Sequence, residues 1–153
     1  MDMAELQPGS PAPPIRLQTD TGETFDLESA RGKNVVLFFY PKADTPGCTT
    51  EACEFRDAYP RFGPDTIVLG ISADTPSKQA KFKSKFNFPY PLLADVDHTV
   101  SEAYGVWKEK SMYGKKYFGI ERTTFLIDKQ GKIAKIFNKV KPAGHAEEVL
   151  QAL

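Results

Sequence analysis

Residues 34–40 read Asn-Val-Val-Leu-Phe-Phe-Tyr, and Pro41 ends the run. A strand that is apolar at every position leaves no face for water. It belongs inside a parallel or mixed sheet covered on both sides. Proline cannot donate to a ladder and closes the strand. Shortly afterwards Thr45-Pro46 has the signature of a helix start, with threonine at the N-cap and proline at the first helical position. The spacing predicts a helix from Pro46 to about Tyr59. A buried strand, a short loop and a helix N-terminus are therefore fixed within a few residues of one another. Both cysteines of the chain, Cys48 and Cys53, fall on that helix.

The remaining pattern builds a sheet around this unit. Pro8, Pro11, Pro13 and Pro14 keep the opening segment extended. Residues 15–19 and 23–27 flank the turn Asp20-Thr21-Gly22 and read as a β-hairpin. Residues 66–73 form a second apolar strand, and 77–86 a lysine-rich helix with Phe82 and Phe86 on one face. A short strand at 92–95 and a short helix at 99–104, ended by Gly105, come next. Residues 123–128 and 132–137 alternate around Lys129-Gln130-Gly131 and form a closing hairpin. The last helix covers 145–153, with Val149, Leu150 and Leu153 turned inward. Strands alternating with helices predict a three-layer α/β sandwich, one domain over residues 1–153. The order suits a thioredoxin-like sheet extended by an N-terminal β-hairpin.

Charge and composition narrow the partners. The chain has 153 residues, with 20 basic and 20 acidic side chains and no net charge. That balance argues against nucleic acid, whose readers carry a basic excess. The longest apolar run is too short to cross a bilayer, and Met1 to Pro14 is acidic and proline-rich, unlike a signal peptide. The chain as given reads as cytoplasmic. The charge is uneven, however: residues 108–141 hold ten basic and three acidic side chains. Two readings stay open for this stretch, a solvated face or a surface that steers an anionic partner.

The cysteines carry the chemistry. Counted from Thr45, Cys48 is the third helical residue, where free N–H groups and the helix dipole support a thiolate. Its pKa is expected to be depressed. Pro46 and Gly47 let the backbone crowd a small ligand. Residues five apart on an intact helix have Cα atoms roughly 8.6 Å apart, beyond the roughly 7 Å a disulfide spans. The pair can bond only if the helix unwinds. Two cysteines with His98 and His145 show none of the usual zinc spacings, so no metal or cofactor is expected.

Pro41-Lys-Ala-Asp-Thr45-Pro-Gly-Cys48-Thr49 resembles the P-x-x-x-T-x-x-C signature of the peroxiredoxins, thiol peroxidases on a thioredoxin fold. Cys48-Thr-Thr-Glu51-Ala-Cys53 is similar to the Q, or bacterioferritin comigratory, subfamily. The likeness continues through Gly119-Ile-Glu-Arg122-Thr-Thr-Phe-Leu-Ile-Asp128, where that family keeps an active-site arginine on a strand. The resemblance implies that Cys48 is the peroxidatic nucleophile and Cys53 the resolving cysteine. It implies an intramolecular Cys48–Cys53 disulfide reduced by thioredoxin or a similar dithiol. Arg122 would hold the peroxide and support the thiolate, Thr45 would turn its hydroxyl to the peroxide or cap the helix, and Pro41 would shield the sulfur. Hydrogen peroxide and organic hydroperoxides are the implied substrates, and a monomer the implied state.

Other residues carry two readings each. Glu51 either orients Arg122 or is an exposed helix carboxylate. Phe38, Phe39, Tyr40 and Trp107 are core residues or walls of an apolar pocket. His98 and His145 read as surface or capping residues. Two alternatives to the peroxidase stay open from the residues: a general thiol–disulfide oxidoreductase, and a non-enzymatic, peroxide-sensing module.

Overall fold

A computed structural model describes residues 6–153; the start of the proline-rich opening, Met1–Glu5, lies outside the described residues. Its centre is strand β3 (Asn34–Phe39), the apolar run. β3 pairs in parallel with β4 (Thr66–Ser72) and antiparallel with β8 (Thr123–Ile127). Around it stand β1 (Arg16–Thr19), β2 (Thr24–Asp26), β5 (Leu92–Ala94) and β9 (Ile133–Phe137), in the order β2-β1-β5-β4-β3-β8-β9.

The run is apolar throughout because each face of β3 meets its own core. Val36, Phe38 and Tyr40 point to one side, where they pack with Ala52 and Phe55 of helix α1 (Pro46–Phe62), Phe82 of α2 (Pro76–Phe86) and Val149 of α4 (His145–Gln151). Val35, Leu37 and Phe39 point to the other, against Ile15, Phe125 and Val100 of the short helix α3 (Thr99–Ala103). Two buried cores on one sheet make the three-layer sandwich expected from the pattern, with the expected N-terminal hairpin at its edge. Phe38, Phe39 and Tyr40 are core residues, with no exposed surface.

Four details differ from the sequence reading. Helix α1 runs past Pro60 to Phe62. A proline near the end of a helix removes one hydrogen bond, and Phe62, buried against Phe55, holds the last turn. A β-ribbon, β6 (Trp107–Met112) with β7 (Lys115–Ile120), was not expected at all. Tyr113 and Gly114, both at positive φ, form its turn. The last helix stops at Gln151, leaving Leu153 half exposed and not inward. His145, read as a surface or capping residue, is buried between Phe55 and Phe137. One of its ring nitrogens meets Thr124 Oγ1 at 2.7 Å and the other Glu148 at 2.9 Å. His98 does stand at the α3 N-cap position, but its side chain makes no cap hydrogen bond and stacks on Trp107.

Candidate active site

β3 ends under the N-terminus of α1, and the loop between them is tied down from two sides. Asp74, just after β4, accepts the Ala43 N–H at 2.8 Å, and Lys85 of α2 pairs with Asp44 at 3.0 Å. Pro41 is half-buried at the start of this loop. Thr45 stands at the N-cap position, but its hydroxyl does not cap: it donates to the Lys42 carbonyl at 2.8 Å. Proline at the first helical position has no N–H to satisfy, which lowers the demand for a side-chain cap.

Cys48 follows in the first turn, 1% exposed, and Cys53 sits half-buried one and a half turns on; both are free thiols. Arg122 reaches Cys48 from 74 residues further along the chain. It lies in the junction between β7 and β8 and not within a strand. Its Nη2 donates to Cys48 Sγ at 3.3 Å, and its Nη1 to Glu51 Oε1 at 2.7 Å. The planar fork of a guanidinium is what allows one side chain to serve both. The Val140 N–H donates to the Arg122 carbonyl at 3.0 Å and holds its main chain.

Two neighbours complete the arrangement. Glu51 is fully buried, and its Oε2 has no partner. Burial pushes its carboxyl up to about 7, against the downward pull of Arg122. Burial also works against the Arg122 charge, but Glu51 and Cys48 outweigh it and push that pKa up. Glu51 is thus the orienting partner of Arg122 and not an exposed carboxylate. Gly47 makes the close approach possible: a Cβ there would meet Arg122 Nη2 at 3.1 Å.

Lys110 of β6 escaped the sequence reading. Its stem folds over Gly119 and its Nζ donates to the Ile120 carbonyl at 2.6 Å. Burial and the neighbouring Arg122 hold its pKa down. The other lysines of residues 108–141 are exposed, and Lys110 is the one turned toward the site. Burial also raises the Cys53 thiol, with Arg56 pulling the other way.

The AhpC/TSA family matches residues 8–136. Peroxiredoxin Bcp of Bacillus subtilis is 50% identical over 149 residues, covering 97% of this chain and 95% of that one. Peroxiredoxin Bcp of Escherichia coli is 45% identical over 152 residues, covering 99% and 97%. The chain belongs to the AhpC/TSA family, among its peroxiredoxins. Solved structures agree. A cysteine-to-serine mutant of Xylella fastidiosa PrxQ superposes with a TM-score of 0.91 at 36% identity, covering 97% of this chain and 95% of that one. A Xanthomonas campestris bacterioferritin comigratory protein, studied for alkyl peroxide reduction, does so at 0.86 and 40% identity, covering 90% and 88%. This peroxiredoxin is a thiol-dependent peroxidase with a thioredoxin-type fold, and the likeness read at Pro41–Thr49 extends over nearly the whole chain. Among the described residues, no helix is long and apolar enough to cross a membrane, and no cluster of three or more His, Cys, Asp or Glu is placed to hold a metal ion.

Proposed function

We propose that Cys48 is the peroxidatic nucleophile and Cys53 the resolving thiol of a single-domain, monomeric peroxidase. The observation that carries this reading is the Arg122 fork, shared between Cys48 Sγ and Glu51. A cationic donor at the sulfur gives a peroxide oxygen a partner as charge moves onto it. The thiolate attacks the O–O bond: an S–O bond forms, the O–O bond breaks, and the departing oxygen takes a proton as water or an alcohol. Cys48 is left as a sulfenic acid. Cys53 then attacks that sulfur, a water leaves, and the Cys48–Cys53 disulfide forms. Thioredoxin, or a dithiol like it, returns both sulfurs to thiols by exchange.

Thr45 and Pro41 stand in the loop that leads into α1, where the Thr45 hydroxyl would leave the Lys42 carbonyl to meet the peroxide and Pro41 would shield the sulfur. The 1% exposure of Cys48 suits hydrogen peroxide and the terminal oxygens of organic hydroperoxides. Two free cysteines fit a reducing compartment such as the cytoplasm, and a site formed by one chain fits a monomer.

The test is peroxide consumption driven by thioredoxin. Cys48→Ser abolishes turnover. Cys53→Ser consumes one equivalent, gains one oxygen on Cys48 and stops. Turnover by Cys48→Ser overturns the nucleophile assignment, and sustained turnover by Cys53→Ser overturns the resolving one.

A further inference from the structure

The buried phenol of Tyr90 is a candidate control point that the peroxidase chemistry does not use. Tyr90 lies just before β5 and has no exposed surface. Its hydroxyl donates at 2.5 Å to the main-chain carbonyl of Ala52, which is itself fully buried. Ala52 sits between the two cysteines on α1. A helical carbonyl keeps a second lone pair after its own helix bond is made, so the phenol adds a tether to the segment without displacing any helical bond. The ring is held independently of its hydroxyl: Phe88 stacks on it with centroids 5.5 Å apart, and Phe38 meets it edge-on at 5.7 Å. Burial pushes the phenol pKa well above its ordinary value, so the group remains a donor across the working pH range.

The segment so tethered is the one that must come apart. α1 is continuous from Pro46 to Phe62, with Cys48 and Cys53 both on it. Cα atoms roughly 8.6 Å apart in a regular helix exceed the roughly 7 Å reach of a disulfide. Joining the sulfurs moves the main chain of residues 48–53, and Ala52 with it. The side-chain hydrogen bonds that Arg122 makes to Glu51 and Cys48 of this segment belong to the proposed peroxide site and serve the first chemical step. The Tyr90 bond touches neither reacting sulfur.

We propose that Tyr90 is a positioning residue that latches the wound form of residues 48–53 and so sets the rate of disulfide formation, separately from the rate of peroxide attack. This inference rests on the proposed Cys48–Cys53 disulfide. The latch gives the sulfenic acid a lifetime: while the Tyr90–Ala52 bond holds, Cys53 stays out of reach and a second peroxide can compete for the oxidised sulfur.

The experiment uses the full chain, reduced and then mixed with one equivalent of hydrogen peroxide. Samples are quenched by rapid alkylation and mapped by mass spectrometry. Tyr90→Phe keeps the ring and removes one hydroxyl. It speeds conversion of the sulfenic acid to the disulfide by about 2- to 12-fold, the range given by the net worth of one hydrogen bond. The second-order rate of peroxide attack stays within about twofold of wild type, and the yield of sulfinic acid at excess peroxide falls. Phe88→Leu is the control, since it loosens the same ring cluster with the hydroxyl intact. It lowers the urea midpoint without the same acceleration. Equal resolution rates in wild type and Tyr90→Phe overturn the latch, and so does an equal acceleration in Phe88→Leu. A wild type that forms no Cys48–Cys53 disulfide overturns the resolving assignment and the latch together.

Discussion

Replacing Glu51 by glutamine tests whether a buried carboxylate is maintained at a cost for the sake of Arg122. Glu51 has no exposed surface, and its Oε2 lacks any partner. Burial pushes its carboxyl up to about 7, from about 4.5 for a free glutamate. A folded-state value above the unfolded one means that the fold retains a proton the unfolded chain releases. The resulting stabilisation is complete below about pH 4.5 and is lost as pH rises through about 7. At about 1.4 kcal/mol per pH unit, the full loss is about 3 kcal/mol. Glutamine cannot titrate, yet its carbonyl still accepts from Arg122 Nη1. Urea unfolding of the reduced proteins, measured from about pH 4.5 to about pH 8, gives the comparison. The stability of Glu51→Gln minus that of wild type rises by about 3 kcal/mol across that range. His145, whose pKa burial lowers, adds the opposite slope: its contribution is lost as pH falls, and it is common to both proteins. A difference that stays flat with pH refutes the argument, because it means that Glu51 holds its proton no more tightly in the folded chain than in the unfolded one.

Two further substitutions test the geometry around the sulfur. Arg122→Lys keeps a cation but loses the fork that serves Cys48 and Glu51 together; losing one charge-assisted hydrogen bond slows peroxide attack by about 10- to 150-fold, and a stopped-flow rate equal to wild type removes Arg122 from the site. Gly47→Ala raises helix stability by up to about 1 kcal/mol, yet its Cβ at 3.1 Å crowds Arg122 Nη2, so the urea midpoint rises or holds while peroxide attack slows by about tenfold; a variant as fast as wild type shows that the guanidinium does not need that gap.

How far the sequence was legible follows from which forces left a local trace. β3 and the start of α1 were readable because burial on both sheet faces demands a continuous apolar run, and because proline at the first helical position is a local signal. The motif singled out Thr45, Cys48 and Arg122; the fold brings Cys48 and Arg122 together, while the Thr45 hydroxyl turns to the Lys42 carbonyl. The β6–β7 ribbon left no trace, since it is exposed over most of its length and has no periodic apolar face. Glu51 carries two readings in sequence, a partner of Arg122 or an exposed carboxylate; only the arrival of Arg122, 71 residues further along the chain, decides for the buried one. His145 was misread for the same reason, because its partner Thr124 lies on β8 and nothing near it in sequence announces that contact. Tyr90 gave no signal, as its acceptor is a main-chain carbonyl 38 residues away.

The pairing of β3 with β8 has a consequence for the protein's birth. The Arg122 guanidinium is 74 residues from Cys48 along the chain, and it is delivered only when β8 docks beside β3. Domains fold as units, and pairings of such separation close late because loop entropy must be overcome first. A nascent chain whose first half has already emerged from the ribosome carries Cys48 without its cation. In that interval the sulfur has no guanidinium beside it. The Arg122–Cys48 contact exists only once β8 has docked, so on the proposed chemistry the sulfur gains its cationic partner as one of the last steps of folding.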